Sequence, residues 1–130
     1  MVVLDTDILV GILRKNIDAQ NFLERLEKKN EIINTTVINA FELLEGALLY
    51  PGRDKSKSAE ILLRSLGSYS FNGPASWTAA QISAELKKSG KIIDFPDLAI
   101  ASIAISRGEP LVTRNVKHFE RIKGLKIEKW

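Results

Sequence analysis

The 130-residue chain has no cysteine, a single histidine and a single methionine. Without thiols, disulfide scaffolds, thiolate metal sites and cysteine nucleophiles are all excluded. With His118 as the only imidazole, a zinc centre built on clustered histidines is excluded as well. No glycine-rich stretch has the spacing of a phosphate-cradling loop, and Gly108 and Gly124 read as cap and turn residues. The apolar runs fall far short of the ~20 residues that span a bilayer, and no basic segment precedes them at the N-terminus. A soluble, unexported protein is therefore expected, compatible with a reducing cytoplasm and with no membrane partner. Repeats, low-complexity tracts and linkers are also missing. One compact domain over residues 1–130 is expected, its 45% hydrophobic content sufficient for a core without covalent staples.

Charge is balanced overall but unevenly assigned. The net charge is only +3, yet setting aside Asp5, Glu42 and Asp97 leaves 13 acidic residues against 19 lysines and arginines. A basic surround with an acidic centre suits an anionic partner, although many lysine-rich proteins bind no nucleic acid.

The apolar pattern sets the order of elements. Val2 to Leu4 reads as a buried strand followed by a short helix from Ile8 to Leu13. Ala19, Phe22, Leu23 and Leu26 recur at helical spacing, with Asn30 as the stop. Glu31 to Asn34 is a second strand, and Thr35 or Thr36 caps a helix through Phe41, Leu44 and Leu48 to about Tyr50, before Pro51. Gly52 to Ser58 reads as a basic loop, and Ala59 to Leu66 as a helix with Gly67 as its C-terminal cap. Tyr69 to Phe71 is a third strand. Ser76 caps a helix running to Lys88 and ended by Gly90. Leu98 to Ile105 is apolar nearly all round, so that helix should be buried, with Pro96 in its first turn. Leu111 to Thr113 is the fourth strand, Lys117 to Ile122 a helical turn, and Leu125 to Ile127 a possible edge strand. Strands alternating with helices of crossover length predict an α/β fold, a three-layer α/β/α sandwich around a mostly parallel sheet.

Four oxygen-bearing side chains fall at junctions of this pattern. Asp5 ends the first strand, where open α/β sheets place their chemistry. Its bland alternative is to cap the next helix, a role Asp7 fills at least as well. Glu42 sits on an amphipathic helix with Glu45 one turn on, and one of the two should be an ordinary solvated charge. Asp94 and Asp97 flank Phe95 and Pro96, so that one can serve a site while the other caps. Asn115 follows the fourth strand, where a turn role is the bland reading. If these groups converge, they make an oxygen site for a hard divalent cation such as Mg²⁺ or Mn²⁺. Thr6 and Thr113 are placed to hydrogen-bond such ligands. Arg14 and Arg114 are candidates for phosphate oxygens, or equally solvated surface charges. His118 should be at or near the surface beside Phe119.

Taken in order, Leu4-Asp5-Thr6-Asp7-Ile8-Leu9, Phe41-Glu42-Leu43-Leu44-Glu45-Gly46-Ala47, Asp97-Leu98-Ala99-Ile100-Ala101 and Leu111-Val112-Thr113-Arg114-Asn115 with His118 and Phe119 resemble the four motifs of the PIN domain nucleases. Within that family the resemblance is to the VapC toxins of prokaryotic toxin–antitoxin pairs, and the closing Gly124 to Trp130 segment is in the same style. It covers essentially the whole chain. The resemblance implies a Mg²⁺- or Mn²⁺-dependent endoribonuclease, usually dimeric and neutralised by a VapB antitoxin. Its metal carboxylates fall on Asp5, Glu42 and Asp97, and its fourth acidic position on Asn115, an amide without charge, which leaves open whether one metal or two are held.

Two other classes fit parts of the pattern. Asp5-Thr6-Asp7 after an apolar strand also resembles the nucleophile and acid of haloacid dehalogenase-type phosphatases, but the chain is short for that fold and shows no clear later acidic pair. A receiver-like signalling domain would need an aspartate ending its third core strand and a lysine after the last, for which Lys117 is the nearest candidate. A degenerate nuclease fold that only binds RNA or protein is the third alternative, because of Asn115.

Overall fold

The computed structural model describes residues 1–50, 52 and 54–130. Pro51, the expected helix stop, and Arg53, in the expected basic loop, lie outside the described residues. Strand β1 (Val2–Leu4) is buried along its whole length. Around it lie β2 (Ile33–Thr36), β3 (Gly67–Tyr69), β4 (Leu111–Val112) and β5 (Ile127–Glu128), in the order β3-β2-β1-β4-β5. Every pairing is parallel: Val2 opposes Ile33, Val3 opposes Leu111, Asn34 opposes Gly67 and Leu111 opposes Ile127.

Alternation along β1 decides the layers. Val2 and Leu4 join Ile8, Leu9, Phe22, Leu26, Leu43 and Ala59 in one core. These come from α1 (Thr6–Leu13), α2 (Ile17–Lys28), α3 (Val37–Leu49) and α4 (Lys55–Arg64). Val3 points the other way, into a second core with Ile100, Ala101, Ala104, Leu111, Phe119 and Ile122. That face carries α6 (Phe95–Arg107), with α5 (Gly73–Lys88) packed along it, and the single turn α7 (Val116–Phe119). A parallel sheet covered on both faces is the expected three-layer sandwich. Among the described residues no helix is long and apolar enough to cross a membrane.

Topology creates the position of the site. The chain walks outward from β1 to β2 and β3, then returns to lay β4 on the opposite flank of β1. The carboxyl ends of β1 and β4 therefore border a topological switch point, where the connections diverge and leave a crevice.

Several boundaries differ from the sequence reading, each for a local reason. Helix α1 begins at Thr6 rather than Ile8 because Asp5, and not Asp7, stands at its N-cap. β2 lies two residues later than expected, and Thr36 alone caps α3, accepting from the Asn39 backbone N–H. Thr35 is instead a strand residue whose hydroxyl donates to the Leu4 carbonyl at 2.9 Å. The expected basic loop is already helical from Lys55, and Asn72 rather than Ser76 caps α5. The final strand is likewise shifted, to Ile127–Glu128. Gly67 does not cap α4 but opens β3, which consequently precedes the expected Tyr69–Phe71 segment. A Cβ at Gly67 would lie 2.1 Å from Asn34 Oδ1, so only glycine lets β3 approach β2 there. Asn34 in turn donates to Glu109 at 3.2 Å, and the Tyr69 hydroxyl donates to the same buried carboxylate at 2.5 Å. Pro96 in the first turn of α6 and Gly108 in the left-handed conformation at its end are as expected.

Candidate active site

Asp5 leaves β1 with 7% of its surface exposed, and both carboxylate oxygens are engaged. Oδ1 accepts from the Thr6 backbone N–H at 2.8 Å and from Asn39 Nδ2 at 2.9 Å. Oδ2 accepts from the Thr113 hydroxyl at 2.7 Å, a bond that crosses the switch point from the end of β4. Burial pushes the Asp5 carboxyl up to about 6; the Thr113 and Thr6 bonds oppose the shift, while the neighbouring charges of Asp7 and Glu42 add to it.

Glu42 is half-buried on α3 and accepts from the Thr6 hydroxyl at 2.7 Å. Glu45, one turn on, is exposed and is the solvated member of the pair. Asp97 lies in the first turn of α6 with 23% of its side chain exposed and His118 Nδ1 at 3.9 Å. Burial raises its pKa; His118 and Arg121 counter this, and Asp94 reinforces it. Asp94 holds the N-cap position of α6 without a side-chain cap bond and does not line the cleft. Asn115 follows β4 at the start of α7, its backbone N–H donating to the Thr113 hydroxyl at 3.0 Å.

These groups meet. Asp5, Thr6, Asp7, Glu42, Asp97, Arg114 and Asn115 line one open cleft of about 520 Å³. Arg14 does not reach it: the residue is exposed at the far end of α1, roughly 12 Å along the axis from Thr6 at ~1.5 Å per residue. Thr6 and Thr113 bond the carboxylates of Glu42 and Asp5, as their positions predicted. His118 is half exposed, as expected, but the structure adds its place beside Asp97.

The roles of Asn39, Asp7 and Trp130 around the cleft escaped the sequence reading. Asn39 is fully buried, and its amide nitrogen donates to both Asp5 and Thr6 while its carbonyl oxygen accepts from the Thr36 hydroxyl at 2.7 Å. The available signal was an amide among Ile38, Ala40 and Phe41, three residues before Glu42 and so on the same helical face. Asp7 accepts from the Arg114 backbone N–H at 2.8 Å and from Trp130 Nε1 at 2.9 Å. Nothing local in the sequence pairs residues that far apart.

The donor set is oxygen, the carboxylates of Asp5, Asp7, Glu42 and Asp97 and the amide of Asn115, which is the chemistry a hard cation takes. Among the described residues no three His, Cys, Asp or Glu side chains draw together closely enough to enclose an ion by themselves. Magnesium tolerates this, because it retains waters and commonly takes only one or two carboxylates directly.

Residues 2–125 match the PIN domain family. The chain is 36% identical over 129 residues to ribonuclease VapC2 of Rickettsia felis, covering 98% of this chain and 96% of that protein. It is 31% identical, at the same coverage, to the tRNA(fMet)-specific endonuclease VapC of Salmonella typhimurium. The crystal structure of R. felis VapBC2 bound to a promoter DNA fragment contains a chain that superposes with a TM-score of 0.89 at 33% identity, covering 100% of this chain and 99% of that one. With a whole-length match and the four motif positions lining one cleft, the chain belongs to the PIN domain family, among the VapC ribonucleases.

Proposed function

We propose that this protein is a Mg²⁺- or Mn²⁺-dependent endoribonuclease, the toxin of a type II toxin–antitoxin pair, with Asp5, Glu42, Asp97 and Asn115 as its catalytic site. The observation that carries the reading is the convergence of these four side chains, from four elements distant in sequence, on one cleft at the switch point of the sheet. Asp5, Glu42 and Asp97 would hold the ion. When bound, it supplies Lewis-acid polarisation of the scissile phosphate and a water acidified for in-line attack.

The chain's own residues do the rest. Thr113, Asn39 and the Thr6 backbone orient Asp5, and the Thr6 hydroxyl orients Glu42. Asn115 contributes a carbonyl oxygen or holds water without adding charge. Arg114 offers its guanidinium to phosphate oxygens at the cleft.

RNA as the substrate, and with it a cytoplasmic site of action, is supported by the ribonucleases the chain resembles; a VapB-type antitoxin is supported by the solved VapBC complex. A homodimer is supported by exposed apolar side chains on and just after α3 and on α4, including Phe41, Leu48, Leu49, Tyr50 and Ile61. The decisive experiment is cleavage of RNA by purified protein. EDTA abolishes it, Mg²⁺ or Mn²⁺ restores it, and Asp5→Asn removes most of it while the far-ultraviolet circular dichroism is unchanged. Full cleavage in chelator, with contaminating nuclease excluded, refutes the proposal.

A further inference from the structure

We propose that Trp130 is a positioning residue for substrate phosphate: its indole clamps Asp7 and Arg114 together and presents the guanidinium at the cleft. The inference rests on the nuclease reading of that cleft.

Arg114 is held on three sides. Its guanidinium carbon lies 3.6 Å from the centre of the Trp130 ring, Nε donates to the Trp130 carbonyl at 3.0 Å, and Nη2 donates to Asp18 at 2.8 Å. Arg114 also lines the cleft that holds Asp5, Glu42 and Asp97. The same indole turns its N–H to Asp7 Oδ1 at 2.9 Å, and Asp7 Oδ2 takes the backbone N–H of Arg114. One ring thus fixes the arginine through both its head and its backbone. The bonds to the indole and to the Arg114 N–H fall on one oxygen each of Asp7, so this carboxylate, which also lines the cleft, brackets the arginine against the ring.

The surrounding chain is shaped for the indole. A Cβ at Gly11 would lie 3.0 Å from the Trp130 ring edge and 2.9 Å from Ala19 Cβ, so α1 leaves its glycine where the ring seats. A free arginine samples many rotamers, and ordering it on phosphate costs affinity; stacking and two fixed donors order it beforehand. An arginine left loose among the carboxylates of the cleft would also be free to fold onto them, occupying the ground the phosphate needs.

The test is a double-mutant cycle on the full chain with an RNA oligonucleotide cleaved in Mg²⁺. Trp130→Leu raises KM by about 2- to 10-fold with little change in kcat, because the chemistry stays while phosphate positioning is lost. Arg114→Ala raises KM at least as much, and adding Trp130→Leu to it costs nothing further. Trp130→Phe, which keeps the ring and loses only the N–H, falls between wild type and Trp130→Leu. In a Trp77→Phe background, Arg114→Ala shifts the Trp130 emission. A Trp130→Leu protein that loses thermal stability with KM unchanged, or one whose defect is the same with and without Arg114, overturns the clamp while the nuclease reading stands. Absence of any cleavage by the wild-type protein overturns both.

Discussion

At the scale of single residues, Asp5 sets a conflict between stability and chemistry. Its carboxyl is raised from 3.8 to about 6 mainly by burial, so the folded protein holds the proton more tightly than the unfolded chain does. The stability this contributes is complete below about pH 4 and lost as pH rises towards 6, leaving an ionised, buried group at neutrality. In metal-free buffer, Asp5→Asn should therefore stabilise the protein at pH 7 by about 1 to 3 kcal/mol, and by little at pH 4. Thermal melts at the two pH values check it; equal shifts at both would show that burial of charge is not the cause. A bound divalent cation should reverse the conflict, and its affinity should fall as the pH drops below 6, measurable by Mn²⁺ titration. At Asn115 the expectation has the opposite sense: Asn115→Asp adds charge to an oxygen-lined cleft and should preserve or tighten Mn²⁺ binding. Weaker binding in a folded variant, seen by calorimetry, would place the residue away from the ion.

At the scale of elements, the site depends on contacts that hold one helix or strand against the next. Asn39, itself fully buried, ties α3 to the end of β1 and the start of α1 by donating to Asp5 and Thr6. Asn39→Ala strips one donor from a buried carboxylate, which should cost about 1 to 3 kcal/mol and lower kcat by misplacing Asp5 and Glu42 together. Denaturant unfolding and steady-state kinetics on the same preparation check both parts. Gly67→Ala acts far from the chemistry, driving a methyl into Asn34 and parting β3 from β2. It should destabilise by a few kcal/mol yet leave KM unchanged in whatever fraction remains folded. These elements show how far local pattern reaches. The strand at 2–4 and the buried α6 were legible from apolar runs alone, whereas Gly67 read as a cap because its reason is an approach to Asn34 across the sheet.

At the scale of the whole molecule, an acidic cleft sits in a chain whose remaining charge is basic. Two subunits joined through the apolar side chains of α3 and α4 would set two such clefts beside the exposed lysines Lys55 and Lys57. RNA binding measured in chelator should then fall steeply with salt, by counterion release, while the cleavage step follows metal concentration. Light scattering should report a dimer at working concentrations. A monomer with salt-insensitive binding would refute both the dimer and the basic groove.

What the sequence determined by itself was the layered fold and the four oxygen-bearing junctions. Strand burial, helical periodicity, the placement of Asp5, Asp97 and Asn115 at element ends and of Glu42 on an amphipathic helix are local patterns, readable within a few residues. Which member of each pair enters the cleft was decided only in three dimensions. Glu42 lines it and Glu45 does not, Asp97 does and Asp94 does not, Arg114 does and Arg14 does not. Glu42 and Glu45, three apart, share a helical face and differ by about 4.5 Å along the axis, and only the packed structure decides which turn meets the cleft. Asp5 took the cap as well as its place in the cleft, and Asp7 meets Arg114 and Trp130 instead of capping, because the backbone enters α1 two residues early and the chain after the last strand brings Trp130 against the first helix. Asn39, Thr113 and Trp130 act across separations of 34, 108 and 123 residues, and contacts of that kind exist only once the sheet has closed its order.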